Sequence, residues 1–92
     1  MMVKLRAFAA FRDLLGRESV LELGEGATVS DLLLHLCKTR RGFLEAAYDQ
    51  EGLLRDYVII MLNRKRLDGQ QGLEQQLHDG DEFAIFPPVA GG

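Results

Sequence analysis

The sequence predicts an α+β fold, a roll in which one main helix packs across a mixed sheet of about four to five strands. Segments near the two ends of the chain alternate apolar and polar residues, as half-buried strands do. A leucine-rich stripe at helical spacing lies between them, and an apolar run rich in β-branched residues follows it. The 92 residues should form one domain, because a second core would be too small to hold itself together.

The N-terminal part of the chain predicts two neighbouring strands separated by a short helix. The alternation in MVKLRAF places Val3, Leu5 and Ala7 on one face and Lys4, Arg6 and Phe8 on the other. Residues 9–16 then offer one or two helical turns that end at Gly16. ESVLEL resumes the extended pattern, and its short connection to the first strand favours antiparallel pairing.

The main helix is predicted over residues 29–40. Thr28 is placed to cap its N-terminus, with Asp31 three residues later as the second member of a capping box. The side chains expected to face the sheet recur at helical spacing and are Val29, Leu32, Leu33 and Leu36. Cys37 lies beside this stripe, so we interpret it as a buried structural thiol, with a reactive thiol as the alternative.

The second half of the chain predicts three more extended segments. Residues 41–56 contain at most a second short helical turn before Gly52, whereas YVIIMLN is typical of a central strand covered on both faces. Asn63 ends that strand at a turn, and KRL returns as a short strand. GLEQQLHDGD predicts one helical turn closed by a tight turn.

DEFAIFP is the last predicted strand. Phe83 and Ile85 share one of its faces, while Ala84 and Phe86 share the other. Pro87 has no N–H to donate, so the strand should end there. The first and last strands can be neighbours only if they run parallel.

Composition excludes several classes of function. The net charge of −3 gives no basic footprint for nucleic acid, and no apolar run approaches the length of a membrane span. A single cysteine and two distant histidines predict neither a disulfide framework nor a metal site. We find no nucleotide-binding loop or nucleophile motif, so no catalytic residue is expected. A cytoplasmic protein without a membrane or nucleic-acid partner is the expectation.

The segment FPPVAGG, residues 86–92, bears most directly on function. Two glycines add nothing to a core and are costly to order, so the segment is either a frayed end or a tail whose accessibility matters. Pro87 and Pro88 favour an extended path away from the sheet. Glycine at positions 91 and 92 leaves the chain end unhindered.

DGDEFAIFPPVAGG resembles the C-terminus of MoaD/ThiS-type sulfur carriers, above all the small subunit of molybdopterin synthase. That subunit ends in Phe-Pro-Pro-Val, a small residue and Gly-Gly, and FAAFRDLLG, residues 8–16, is similar to its first strand exit and helical turn. The resemblance covers essentially the whole chain and implies the β-grasp, ubiquitin-like fold. It implies a domain over residues 1–88 and a flexible tail over residues 89–92.

The resemblance also implies the chemistry. An adenylating enzyme, similar to ubiquitin-activating enzymes, would use ATP to activate the carboxylate of Gly92, and sulfur would replace AMP to leave a thiocarboxylate. The tail residues Pro87, Pro88, Val89, Ala90 and Gly91 would carry that group into partner pockets, the molybdopterin synthase large subunit among them. The protein itself would bind no cofactor and no metal.

Two alternatives concern the destination of the sulfur. Residues 41–56 are longer than in compact members of the family, as in a branch that includes archaeal small modifier proteins and carriers serving cysteine synthesis. The function is therefore sulfur donation to molybdopterin, or else conjugation of Gly92 to lysines, or sulfur transfer for cysteine or thiamine synthesis.

Phe8 and Phe86 are the candidate partner interface. If the first and last strands are neighbours, these rings belong to one apolar patch near the tail, where family members contact their partners. The alternative is that the rings pack under the helical turn at residues 10–15 or against the last loop. The cluster Arg64-Lys65-Arg66 is interpreted as a solvated turn, with steering of an acidic partner as the alternative.

Overall fold

The computed structural model describes residues 1–56 and 58–87, in which a five-stranded sheet carries helices on one face. The elements in chain order are β1 Met2–Ala7, α1 Ala10–Leu15, β2 Glu18–Glu22, α2 Val29–Thr39, α3 Phe43–Ala47, β3 Ile59–Leu62, β4 Lys65–Leu67, α4 Gly69–Leu73 and β5 Glu82–Phe86. The sheet order is β2-β1-β5-β3-β4, with β1 and β5 parallel and the other neighbours antiparallel. The α+β class, the mixed sheet and the parallel pairing of first and last strands are confirmed.

The main helix forms where the sequence predicts it and buries the predicted stripe. The Thr28 side chain accepts from the Asp31 N–H at 3.2 Å, and the Asp31 carboxylate accepts from the Thr28 N–H at 2.9 Å. This capping box satisfies two of the orphan donors at the helix start. The four predicted core residues of α2 are fully buried, and they lie against the inner face of the sheet: Val29, Leu32, Leu33 and Leu36.

The expectation that YVIIMLN forms a central strand covered on both faces is wrong. β5, and not β3, occupies the middle of the sheet. Ile60 and Leu62 are buried against the helices, whereas Ile59 and Met61 are only half-buried on the opposite, outer face. A run of apolar residues does not distinguish a strand covered on both faces from one whose outer face is an apolar surface patch.

The helical turn predicted within GLEQQLHDGD forms earlier in the chain, as α4. α4 ends at Leu73, and the chain beyond it pairs with the start of α2 instead of continuing as a helix. The Val29 N–H donates to the Gln75 carbonyl at 3.0 Å, and Thr28 and Gln76 form an isolated bridge. These long-range hydrogen bonds override the helical propensity of the Glu-Gln-Gln segment.

No helix in the described part of the chain combines the length and the apolar character that crossing a bilayer requires. The predicted domain boundary at residue 88 and the tail at residues 89–92 lie beyond Pro87, outside the described residues. They stay predictions.

A strained turn joins β1 to α1. Ala9 has φ 51° and ψ −128°. Glycine adopts such a positive φ readily, whereas a residue with a Cβ is strained there. Ala10, the next residue, begins α1 in ordinary helical geometry. Neighbouring alanines are therefore expected to respond in opposite ways to the same substitution.

We expect Ala9→Gly to raise the free energy of unfolding by about 1 kcal/mol. The strain energy that it removes from the folded state exceeds the free energy lost through the larger conformational entropy of the unfolded chain. Ala10→Gly should instead lower it by about 0.5–1 kcal/mol, the helix-propensity difference. Urea unfolding followed by circular dichroism measures both values. Destabilisation by both substitutions would contradict the strained geometry at Ala9.

Candidate functional site

The parallel pairing of β1 and β5 brings the predicted interface residues to one end of the sheet. Ala7 lies opposite Ile85, and the Phe8 N–H donates to the Ile85 carbonyl at 3.2 Å. Phe8 follows the last residue of β1, and Phe86 is the last residue of β5. Two aromatic side chains from opposite ends of the sequence thus meet where the chain leaves the sheet toward its tail.

The two rings stack on each other. Their centroids are 4.3 Å apart and their planes differ by 8°, and each residue is half-buried. The guanidinium of Arg6 lies 5.4 Å from the Phe8 centroid, within the range of a cation–π contact. Arg6 is held in turn by Glu18 and Glu82, at 3.8 and 3.6 Å. The rings therefore cover each other on the outer face of the sheet, and each remains partly exposed.

An apolar strip extends from this stack across the outer face onto β3. Ile59 lies opposite Phe86, and Met61 lies opposite Ala84, so side chains of the same face adjoin one another. We call Phe8, Phe86, Ile59, Met61 and Ala84 the outer strip. Sequence reasoning missed the β3 members because it assigned them to a doubly covered strand. No local signal marks them, because every residue from 58 to 62 is apolar and the alternation in burial appears only in the structure.

The tail residues follow directly from this end of the sheet. β5 ends at Phe86, and Pro87, which comes next, is half-buried. The predicted tail positions Pro88, Val89, Ala90, Gly91 and Gly92 lie outside the described residues. Their proposed role is taken up below on chemical grounds.

The basic cluster that the sequence singled out lies at the other end of β5. Asn63 and Arg64 form the turn between β3 and β4 with positive φ of 52° and 70°, and the Asn63 N–H donates to Glu82, the first residue of β5. The three cations at 64–66 are exposed, and Arg66 pairs with Asp68 at 3.2 Å. Their position favours the solvated turn and places them far along the sheet from the aromatic stack.

Cys37 lies half-buried on α2, so the structure only partly matches the interpretation as a buried thiol. Burial first, and the nearby carboxylate of Glu45 second, raise the pKa of the Cys37 thiol above its usual range. Burial, with a smaller contribution from Cys37, likewise raises the pKa of Tyr48 to about 12. A thiol kept protonated is a poor nucleophile, which argues against a role in accepting or donating sulfur.

Among residues 1–56 and 58–87, no three His, Cys, Asp or Glu side chains converge on a position that would hold a metal ion.

The sequence matches the ThiS family over residues 5–92. The chain belongs to the ThiS family. It is 34% identical over 100 aligned residues to small archaeal modifier protein 3 of Haloferax volcanii, and 33% identical over 93 residues to the molybdopterin synthase sulfur carrier subunit of Chlamydomonas reinhardtii. Each alignment covers the whole of both chains.

The structure of this ThiS-family protein is similar to the crystal structure of SAMP1 from Haloferax volcanii. The TM-score is 0.87 at 27% identity, and the match covers all of both chains. The β-grasp, ubiquitin-like fold is thereby confirmed, and the protein belongs among the ubiquitin-like sulfur carriers and modifiers. Its relative in Chlamydomonas is by name a subunit of molybdopterin synthase.

The aromatic stack of this ThiS-family protein should contribute to its stability. We expect a double-mutant cycle of Phe8→Ala and Phe86→Ala to give a coupling energy of about 0.5–1.5 kcal/mol, the range of aromatic pairs. Denaturant unfolding of the wild type, both single variants and the double variant measures it. Additive losses would show that the two rings do not interact in solution.

Cys37 should react slowly with alkylating reagents. The alkylation rate should rise with pH through an inflection above the range of a free thiol, because the protonated form is favoured until the raised pKa is reached. The control is the same protein unfolded in denaturant, because Cys37 is then exposed and no longer held close to the Glu45 carboxylate. Equal inflections in the folded and unfolded chains would contradict the environment described for Cys37.

Proposed function

We propose that this protein carries sulfur as a thiocarboxylate on Gly92 and donates it in molybdopterin synthesis, as the small subunit of a two-protein synthase. The observation that carries the proposal is the junction at Phe86. The last strand ends there against Phe8, and the Pro-Pro-Val-Ala-Gly-Gly sequence begins at the next residue. A docking surface and a transferable chain end thus come from one short segment.

The chemistry explains why a partner must supply the catalysis. A terminal carboxylate has a pKa of about 3.5, so at neutral pH it is an anion and a poor electrophile. Attack of its oxygen on the α-phosphate of ATP releases pyrophosphate and leaves an acyl adenylate. Hydrosulfide then attacks the acyl carbon, AMP departs with the electrons of the broken C–O bond, and loss of the S–H proton leaves the thiocarboxylate. The carrier contributes the carboxylate and is the substrate of these steps.

The residues of the tail suit entry into a narrow pocket. An extended segment 89–92 reaches about 13 Å at roughly 3.3 Å per residue. Gly91 and Gly92 place no side chain beside the acyl carbon. Pro87 and Pro88 restrict φ to near −65° and so reduce the entropy lost when the segment inserts.

The outer strip is the proposed docking surface for both the activating enzyme and the synthase large subunit. Half-buried aromatic and aliphatic side chains next to a polar rim are the usual centre of a protein interface. Arg6, which lies over the Phe8 ring, supplies part of that rim. A partner that covers the strip would also lie next to Pro87 and would receive the tail.

A second candidate is a protein modifier, in which Gly92 is joined to a lysine amine through an isopeptide bond. The full-length 34% identity to small archaeal modifier protein 3 supports it. Both candidates share the adenylation step and differ in the nucleophile that follows. Sulfur transfer for cysteine or thiamine synthesis uses the same thiocarboxylate with a different acceptor.

Incubation with the activating enzyme of the same genome, ATP and a sulfur donor should convert Gly92 to a thiocarboxylate. Intact mass spectrometry should record the exchange of one oxygen for one sulfur. Deletion of Gly91 and Gly92 should abolish the exchange and leave the melting temperature unchanged. A marked fall in the melting temperature of the deletion variant would instead assign the tail a structural role.

The acceptor is identified separately. Thiocarboxylated protein mixed with the synthase large subunit and the molybdopterin precursor should lose its sulfur as dithiolene product forms. Lysine-linked conjugates in cells that disappear on deletion of Gly92 would favour the modifier candidate. Absence of product together with such conjugates would overturn the molybdopterin assignment.

Phe86→Asp should weaken binding to the activating enzyme by at least about tenfold, because it places a carboxylate in the desolvated centre of the interface. Val20→Asp is the matched control, since Val20 is an exposed apolar residue on the same face of the edge strand β2. Calorimetric titration measures both affinities, and circular dichroism checks that each variant is folded. Equal effects of the two substitutions would remove Phe86 from the interface.

A further inference from the structure

Five cationic side chains belong to segments near the end of the sheet at which β5 finishes. They come from α1, from the last turn of α2 and from the turns that flank them, and four of the five are exposed: Arg12, Arg17, Lys38 and Arg41, with Arg40 half-buried. None of these five forms an ion pair with a residue of the ranges 1–56 and 58–87. We call them the α1 basic cluster.

Contacts between α1 and α3 bring these cations together. The Leu14 side chain packs against Gly42 so closely that a Cβ there would lie 3.2 Å from it, and the Phe11 and Phe43 rings are 5.8 Å apart. Arg17 follows Leu14 by three residues, and Arg41 directly precedes Gly42. Asp13 lies on α1, Glu18 follows Arg17 and Glu45 lies on α3, so the five cations exceed the three carboxylates nearest to them in these segments.

The cluster is connected directly to the candidate site. The Ala7 N–H donates to the Arg17 carbonyl at 3.1 Å, and Ala7 lies opposite Ile85 in the parallel pair. The backbone of Arg17 is thus one strand away from the segment that carries Phe86. Cations of the cluster therefore border the end of the sheet at which the tail begins.

The opposite end of the sheet is acidic. β2 ends there, α2 begins there and β5 begins there, and these segments carry Glu22, Glu25, Asp31, Asp79, Asp81 and Glu82. The Met2 N–H donates to Asp79 and Asn63 donates to Asp81, which ties the loops of this end together. A chain with a net charge of −3 therefore has a basic corner beside its tail and carboxylates at the far end.

We propose that the α1 basic cluster is an electrostatic guidance surface, which orients the carrier with its tail toward an acidic rim on the enzyme that activates Gly92. This inference rests on the proposed function. Separated charges give the protein a dipole, and a partner with an acidic rim attracts the basic corner and repels the acidic end. Encounters in which the tail faces the partner become more frequent. The exposed position of the cations predicts an effect on association more than on dissociation.

Lys38 and Arg40 have a second reason for their location, because cations stabilise the C-terminus of a helix. The test therefore uses Arg17 and Arg41, which lie in turns outside the helices. Arg64 and Lys65 give a matched control, since they are exposed, lack ion pairs within the described ranges and lie at the acidic end.

The association rate constant with the activating enzyme of the same genome, measured by stopped flow, should fall about tenfold at low ionic strength in Arg17→Glu/Arg41→Glu. The loss should shrink to less than about twofold at 1 M salt, where the charges are screened. Arg64→Glu/Lys65→Glu should change the rate less than about twofold at any salt. The neutral variant Arg17→Gln/Arg41→Gln should fall between wild type and the reversed variant, and melting temperatures confirm folding.

Equal loss in the reversed variant and its matched control, or no loss in either, would overturn the guidance role while leaving sulfur carriage intact. A rate that falls in the reversed variant at every salt concentration would also overturn it, because that pattern marks a direct contact. Failure of the wild type to become adenylated would overturn the proposed function, and the guidance role with it.

Discussion

The parallel pairing of β1 with β5 is the constraint on which the rest of the molecule depends. The first and last strands occupy adjacent positions near the centre of the sheet, so their pairing closes a loop that contains all the other elements. The entropy cost of that closure is offset by hydrogen bonds between the two strands and by burial of their inward-facing side chains, which are Val3, Leu5, Phe83 and Ile85. Because parallel strands end at the same edge, the pairing also fixes where Phe8 and the start of the tail meet.

Because of this arrangement, the two faces of the sheet differ in character. The inner face is a conventional core, in which the α2 stripe and the α1–α3 contacts exclude water. The outer face carries the Phe8–Phe86 stack and the half-buried side chains of β3 beside charged residues of β1 and β2. Part of the apolar surface that the core does not bury is thus collected on this face. Such a surface is stable in the free protein because the rings cover each other, and it still has area to bury in a complex.

The proposed chemistry requires a reacting carboxylate that lies outside the hydrophobic core. A carboxylate that must enter another protein's pocket cannot also be part of the core, and the turn at Ala9 holds Phe8 beside β5 at the cost of local strain. Cys37, the one thiol, is kept protonated on the helical side, away from the outer strip. Charge follows the same separation, with the α1 basic cluster near the end of the sheet where β5 finishes and carboxylates at the far end.

The sequence by itself determined the strands and the capped main helix, and it alone supports the proposed chemistry of the tail. Each of these is local: alternation of apolar residues, a Thr28–Asp31 box, and two glycines beside a carboxylate. It also pointed to Phe8 and Phe86, because their faces follow from strand period once the two strands are assumed to be neighbours. Only the tertiary structure decided that Ile59 and Met61 lie beside Phe86 and Ala84, and that α4 ends at Leu73. Those outcomes depend on register and on contacts between residues distant in sequence, and no local pattern encodes which distant partner a side chain will meet.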